Sequence, residues 1–173
     1  MNIIMKSGIA LAALTTLAAP AVAQSSASAT TTGTTTIIQP ITIAQNSALA
    51  FGTIVRPATG ASTISIGTGA DTVSATGGAV VLRGTKSRAR YTVSGEGGEV
   101  ISVTLPASFN LSKLGATDLA VTLTRNPAGN LTLSNALGAT GTASLDIGGS
   151  FAISNTTVTG DYSGTFTVNV AYN

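Results

Sequence analysis

The sequence contains no cysteine, no histidine and no tryptophan, and charged residues make up 8% of its 173 positions. Each shortage removes a kind of chemistry. Without cysteine there is no disulfide, no thiol nucleophile and no thiolate metal site. Without histidine the commonest general base and the commonest zinc ligand are gone, and a Ser-His-Asp triad cannot be assembled. Without tryptophan there is no large indole platform for a sugar ring. Charge is scarce beside the roughly 25% of an average soluble protein, so solubility falls to small polar side chains. Those are abundant, with 29 Thr and 20 Gly. β-branched residues favour strands and glycine marks turns, so the composition predicts an all-β protein.

The N-terminus carries the three parts of a secretory signal peptide. Lys6 supplies the positive start, Ile9–Leu17 the apolar stretch, and Ala21-Val22-Ala23 the small-x-small cleavage site. The apolar stretch is shorter than the roughly 20 residues of a membrane span. An uncleaved anchor is the competing reading of this segment. Cleavage after Ala23 removes Lys6 and leaves a nearly neutral chain starting at Gln24, so the basic balance gives no reason to expect nucleic acid as a partner. The domain division read from sequence is residues 1–23 as signal peptide, 24–36 as a flexible arm and 37–173 as a single β-sandwich domain.

The arm reads QSSASATTTGTTT. It has no charge and no large apolar side chain, and on its own it buries too little surface to offset chain entropy. From Ile37 the pattern changes, with Ile37, Ile41 and Ile43 sharing the odd-numbered face of a first strand. Strand-like runs follow at Ser62–Ile66, Ala79–Arg83, Ala89–Gly95, Val100–Leu105, Leu119–Asn126, Leu131–Leu133, Ser144–Ser154 and Asp161–Tyr172, separated by glycine- and asparagine-rich turns. Many short strands with this punctuation predict a sandwich or barrel. One helical turn is expected around Asn110–Leu114. The last run is the most regular. Tyr162, Gly164, Phe166, Val168, Val170 and Tyr172 fall on one face, and Asp161, Ser163, Thr165, Thr167 and Asn169 on the other.

Two segments carry a resemblance. Leu49-Ala50-Phe51-Gly52-Thr53-Ile54 near the start, and Gly160 to Tyr172 at the end, look like the spore coat protein U and archaic chaperone–usher pilin superfamily. More narrowly, the chain resembles a domain-of-unknown-function family of small secreted bacterial proteins. The resemblance implies an immunoglobulin-like β-sandwich one strand short, with the gap filled by the N-terminal arm of a neighbouring subunit through β-augmentation. It implies self-assembly or related subunits as partners, with a periplasmic chaperone and an outer-membrane usher. It places the protein in the periplasm in transit and then at the cell surface or outside the cell. On that reading Thr31, Gly33, Thr35 and Ile37 are the inward-facing residues of the donated arm. The chain departs from the pilin pattern in lacking the usual cysteine pair and in having an arm poor in large apolar residues.

Other candidates are weighed on their own chemistry. Arg83, Lys86, Arg88 and Arg90 crowd into one stretch and read either as a contact for an anionic polysaccharide, lipopolysaccharide or acidic subunit, or as a solvated strand face. Glu96 and Glu99 flank Gly97-Gly98 and read as charges on a turn, since a glycosidase needs two carboxylates placed across a sugar. Asp71 lies in a partial match to a calcium-binding nonapeptide, a site that requires stacked copies. No nucleophile–base set can be named and no cofactor is expected, so the expected function is not enzymatic. Two functions stay open: a structural subunit of a bacterial surface fibre or coat, and a monomeric cell-surface binding module, for instance for polysaccharide.

Overall fold

The structure, a computed structural model, describes residues 26–173. The segment read as a signal peptide lies outside them. The chain divides into two units, Met1–Thr35 and Thr36–Asn173. In the first, the described residues carry no strand.

The second unit is all-β and sandwich-like, with no helix among the described residues. Twelve strands form it: β1 (Thr42–Ser47), β2 (Ile54–Val55), β3 (Ala61–Ile66), β4 (Val73–Ala75), β5 (Val80–Val81), β6 (Ala89–Glu96), β7 (Val100–Thr104), β8 (Ser108–Leu111), β9 (Leu119–Asn126), β10 (Leu131–Thr132), β11 (Thr140–Ser154) and β12 (Asn169–Tyr172). The helical turn expected around Asn110–Leu114 is instead strand β8. Its Phe109 and Leu111 pair with Val121 and Leu119 of β9, a period-2 pattern that overrides the local turn signal.

The larger sheet runs β1-β6-β11-β3-β4, with β9 on β11 and β8 on β9. Its axis is β11, 15 residues long. β11 pairs with β6 through Thr140–Ile147 and with β3 through Gly149–Ser154, while Asp146–Ser150 also pair with β9. The residues shared with β9 show that β6 and β3 follow one another along the same edge. The change of partner falls at Gly148-Gly149, where there is no room for side chains. A Cβ at 148 would overlap the Ile66 carbonyl oxygen, and one at 149 would sit 2.9 Å from Val121 Cγ1. The smaller sheet is β10-β7-β12, and β2 and β5 form a separate ribbon.

Two apolar clusters fill the interior. The first joins both sheets: Ala89, Val93, Leu145 and Ile147 from the larger, Ile101, Val103 and Leu131 from the smaller, and Leu133 just beyond β10. The second gathers Phe51, Ile64, Ile66, Val73, Val121, Phe151 and Ile153 around the other half of β11. The terminal run alternates as its sequence predicts, with Phe166, Val168, Val170 and Tyr172 packed against the first cluster and Thr165, Thr167, Asn169 and Ala171 exposed. Only Asn169–Tyr172 of it forms a ladder; upstream, Ser163 makes an isolated bridge to Ser112, just past the end of β8.

Candidate assembly groove

β1 is the first strand of the larger sheet and, among the described residues, pairs only with β6. β12 is the last of the smaller sheet and, among the same residues, pairs only with β7. Asn173 N–H donates to the Val100 carbonyl at 3.1 Å, which fixes the phase of the β7–β12 ladder. The backbone groups of Asn169 and Ala171 therefore turn toward β7, and those of Val170 and Tyr172 turn outward to an edge with no strand partner among the described residues.

The same openness shows in β1. Ile43 stands opposite Val93 and so points to the same face of the sheet. Val93 is fully buried, yet Ile43 is 37% exposed. The odd face holds the half-buried positions, since Ile41, just before β1, packs against the first cluster and Ser47 is half-buried, yet between them Ile43 stays open to solvent.

Further along, the chain opens into a groove of about 590 Å³. One wall is Leu49–Ile54 and the other Thr157–Tyr162, with Leu111, Leu119, Phe151 and Ile153 also lining it. Phe51 and Phe151 meet edge to face, centroids 4.9 Å apart, a geometry that rings with opposed face and edge charge prefer. Arg56 Nη1 donates to the Thr157 carbonyl at 2.7 Å and ties the two walls together. A second recess, about 510 Å³, lies over Leu105, Phe109 and Phe166, with the two rings 5.0 Å apart.

Of the residues read as a donated arm, Thr31, Gly33 and Thr35 are exposed, and nothing lies within 4 Å of where a Gly33 Cβ would be. Ile37 is 88% exposed and Ile38 40%. Two residues later the chain is held firmly. Gln39 N–H donates to Glu96 Oε2 at 3.1 Å, its carbonyl accepts from Tyr172 Oη at 2.8 Å, and its side-chain Oε1 accepts from Thr140 Oγ1 at 2.8 Å. Glu96 is 2% exposed. It is a buried acceptor for the backbone, not a charge on a turn, and its other oxygen takes the Gly138 N–H. Tyr172 reaches from the smaller sheet to β6, where its hydroxyl also accepts the Glu96 N–H at 2.7 Å. Nothing in the spacing of Gln39, Glu96, Thr140 and Tyr172 announces this cluster. Its one local trace is the glycine before Glu96, which leaves room for the tyrosine.

The four basic residues do not make one cationic surface. Arg88 bonds Asp146 through Nε at 3.0 Å and Asp71 through Nη1 at 3.2 Å, and Arg90 Nη2 bonds Asp71. The Arg88 backbone N–H also donates to Asp71, which with the two guanidiniums holds that carboxyl below its ordinary value against a partial desolvation cost. Asp71 thus anchors the β3–β4 connection to β6, and its oxygens are engaged by arginine. Lys86 lays its stem beside Gly52, and Arg83 is exposed. Among the described residues no helix is long and apolar enough to cross a membrane, which says nothing of a β-barrel.

A family model described as "Domain of unknown function (DUF4402)" matches residues 41–172, from the residue before β1 to the end of β12. No curated protein and no solved structure matches the chain.

Proposed function

The chain belongs to the DUF4402 family, and from that premise we propose that it is an exported structural subunit of a bacterial surface fibre or coat, assembled by donor-strand complementation in the manner of the spore coat protein U and archaic chaperone–usher pilins. The observation that carries the proposal is the exposure of Ile43, an inward-pointing residue opposite the buried Val93. A closed sandwich covers such a residue, and an added strand would cover it here. The outward backbone groups of Val170 and Tyr172 are the hydrogen-bonding edge such a strand needs. An apolar edge left open is an aggregation hazard, which is the physical reason for a periplasmic chaperone before assembly and an usher during it. The donor is the arm of a second copy or of a related subunit, and the immunoglobulin-like sandwich short of one strand is the acceptor.

The test compares mature protein with a form lacking Gln24–Thr36, both recovered from the cell surface. Full-length protein gives high-mass, denaturant-resistant ladders, and the shortened form is exported but stays monomeric. A full-length protein that is monomeric at every concentration, and as stable with the arm as without it, overturns assembly and leaves the monomeric binding module.

A further inference from the structure

We infer that Gln39 is the fixed boundary of the donated segment: Glu96 and Tyr172 hold it to its own domain, so a neighbour receives only residues upstream of it, and Ile37 and Ile38 make the main apolar contact. The inference rests on the assembly reading above and adds where donation stops.

The argument starts from Glu96. A buried carboxylate is tolerated only when hydrogen bonds replace its lost hydration. Here two backbone N–H groups do so, from Gln39 and Gly138. Withdrawing Gln39 would leave one oxygen buried without that donor, and charge-assisted bonds are the strong ones. The Gln39 carbonyl is held independently by Tyr172 and its side chain by Thr140. Its N–H, its C=O and its side-chain oxygen are all engaged, each by a different residue. The contacts also join the two ends of the domain, since Tyr172 is the next-to-last residue.

Upstream of this point the character changes within two residues. Ile37 and Ile38 are exposed apolar side chains, and no other large apolar residue lies between them and Gln24. Extended chain spans about 3.3–3.6 Å per residue, so Ile37 stays within two such steps of a fixed anchor. A partner that buries Ile37 must therefore abut the donor domain. The partner that fits is a second copy, whose open side offers Ile43 and the outward edge of β12.

The test uses the mature chain, and the lack of native cysteine lets introduced cysteines be labelled uniquely. Spin labels at Ile37→Cys and at the exposed Leu137→Cys report how tightly the exit is held. The soluble subunit should give a narrow distance distribution, at least doubled in width by Tyr172→Phe. Hydrogen exchange of the Gln39 amide should rise at least 10-fold in Glu96→Gln, whose amide nitrogen would face a backbone N–H donor, while the β6–β11 ladder stays protected. If Glu96→Gln does not fold, the milder Tyr172→Phe carries both readouts. Unchanged widths and exchange rates overturn the boundary. Both readouts are taken before assembly, so a subunit that shows them without ever forming ladders retains the clamp and refutes the assembly reading. Ladders in which the Gln39 amide exchanges freely refute the clamp alone.

Discussion

The Tyr172 hydroxyl lies over Gly95 so closely that a side chain at position 95 would overlap it. Gly95→Ala should push the ring away from Gln39 and cost about 1–3 kcal/mol, the usual range for overpacking a filled interior. Gly33→Ala, at a position with open space around it, should stay within about 0.5 kcal/mol of the parent. Denaturant titration of the two variants against the parent checks the pair, and equal midpoints for all three would refute the contact.

The core of the sandwich should be graded by burial. Leu145, fully buried between the sheets, should cost about 2–5 kcal/mol on truncation to Ala. Phe166 packs against the first cluster and beside Phe109 but is only half-buried, so Phe166→Ala should cost less, about 1–3 kcal/mol. Thr167→Ala, on the exposed face, should cost well under 1 kcal/mol, as is usual for a surface change. The order of unfolding midpoints is the measurement, and a Thr167 effect equal to that of Phe166 would place the terminal strand in the wrong register.

Stability should fall in acid partly through Asp71. Its pKa in the fold is lowered, first by the Arg88 backbone N–H and then by the two guanidiniums. A depressed folded pKa gives stability that is complete above the ordinary aspartate value of 3.8 and is lost as pH falls through the folded value. Asp71→Asn should lower stability at neutral pH and flatten the dependence below that value. Thermal unfolding from neutrality to strong acid reads both. An unchanged acid limb in the variant would remove Asp71 from the account.

Ile43→Thr should separate folding from assembly. The side chain is already exposed in the lone subunit, so the unfolding midpoint should move by about 0.5 kcal/mol or less. On the donor-strand proposal the amount of denaturant-resistant ladder should drop several-fold, because the face proposed to receive the added strand loses its apolar contact. Midpoints come from denaturant titration and ladders from unboiled gels. A large loss of stability with normal ladders would show that Ile43 is covered within its own subunit.

The sequence made the strands legible where side chains alternate against a core, and failed where pairing is decided at long range. Leu119–Asn126 is the same in the reading and the fold, because Leu119, Val121 and Leu123 mark one face by themselves. The start of β11 at Thr140 was out of reach, since Thr140-Gly141 reads locally as a turn and becomes strand only by lying against Gly95 and Glu96. Strands β2, β4 and β8 are short and take their conformation from the partner across the ladder. At the candidate groove the packed face of the last strand was visible, because Phe166, Val168, Val170 and Tyr172 alternate with polar residues. The holding of Gln39 was not, since four residues far apart in sequence meet only after both sheets have formed. The pairing of the arginine stretch was hidden for a related reason: Asp146 reaches Arg88 through β11 and Asp71 reaches Arg88 and Arg90 from the β3–β4 connection, two segments distant in sequence from one another.

The long strand β11 also sets when this protein is able to fold. It supplies the pairing for β6, β9 and β3, so three strands made earlier wait for a segment in the last third of the chain. Loop closure over such separations is slow, and the waiting strands hold unpaired edges and exposed Val, Ile and Leu. During synthesis the order of appearance therefore works against early structure, and residues 140–154 act as the timer. A chain stopped before Thr140 has no sheet axis, however complete its earlier strands, and is the form a holding chaperone would be expected to bind.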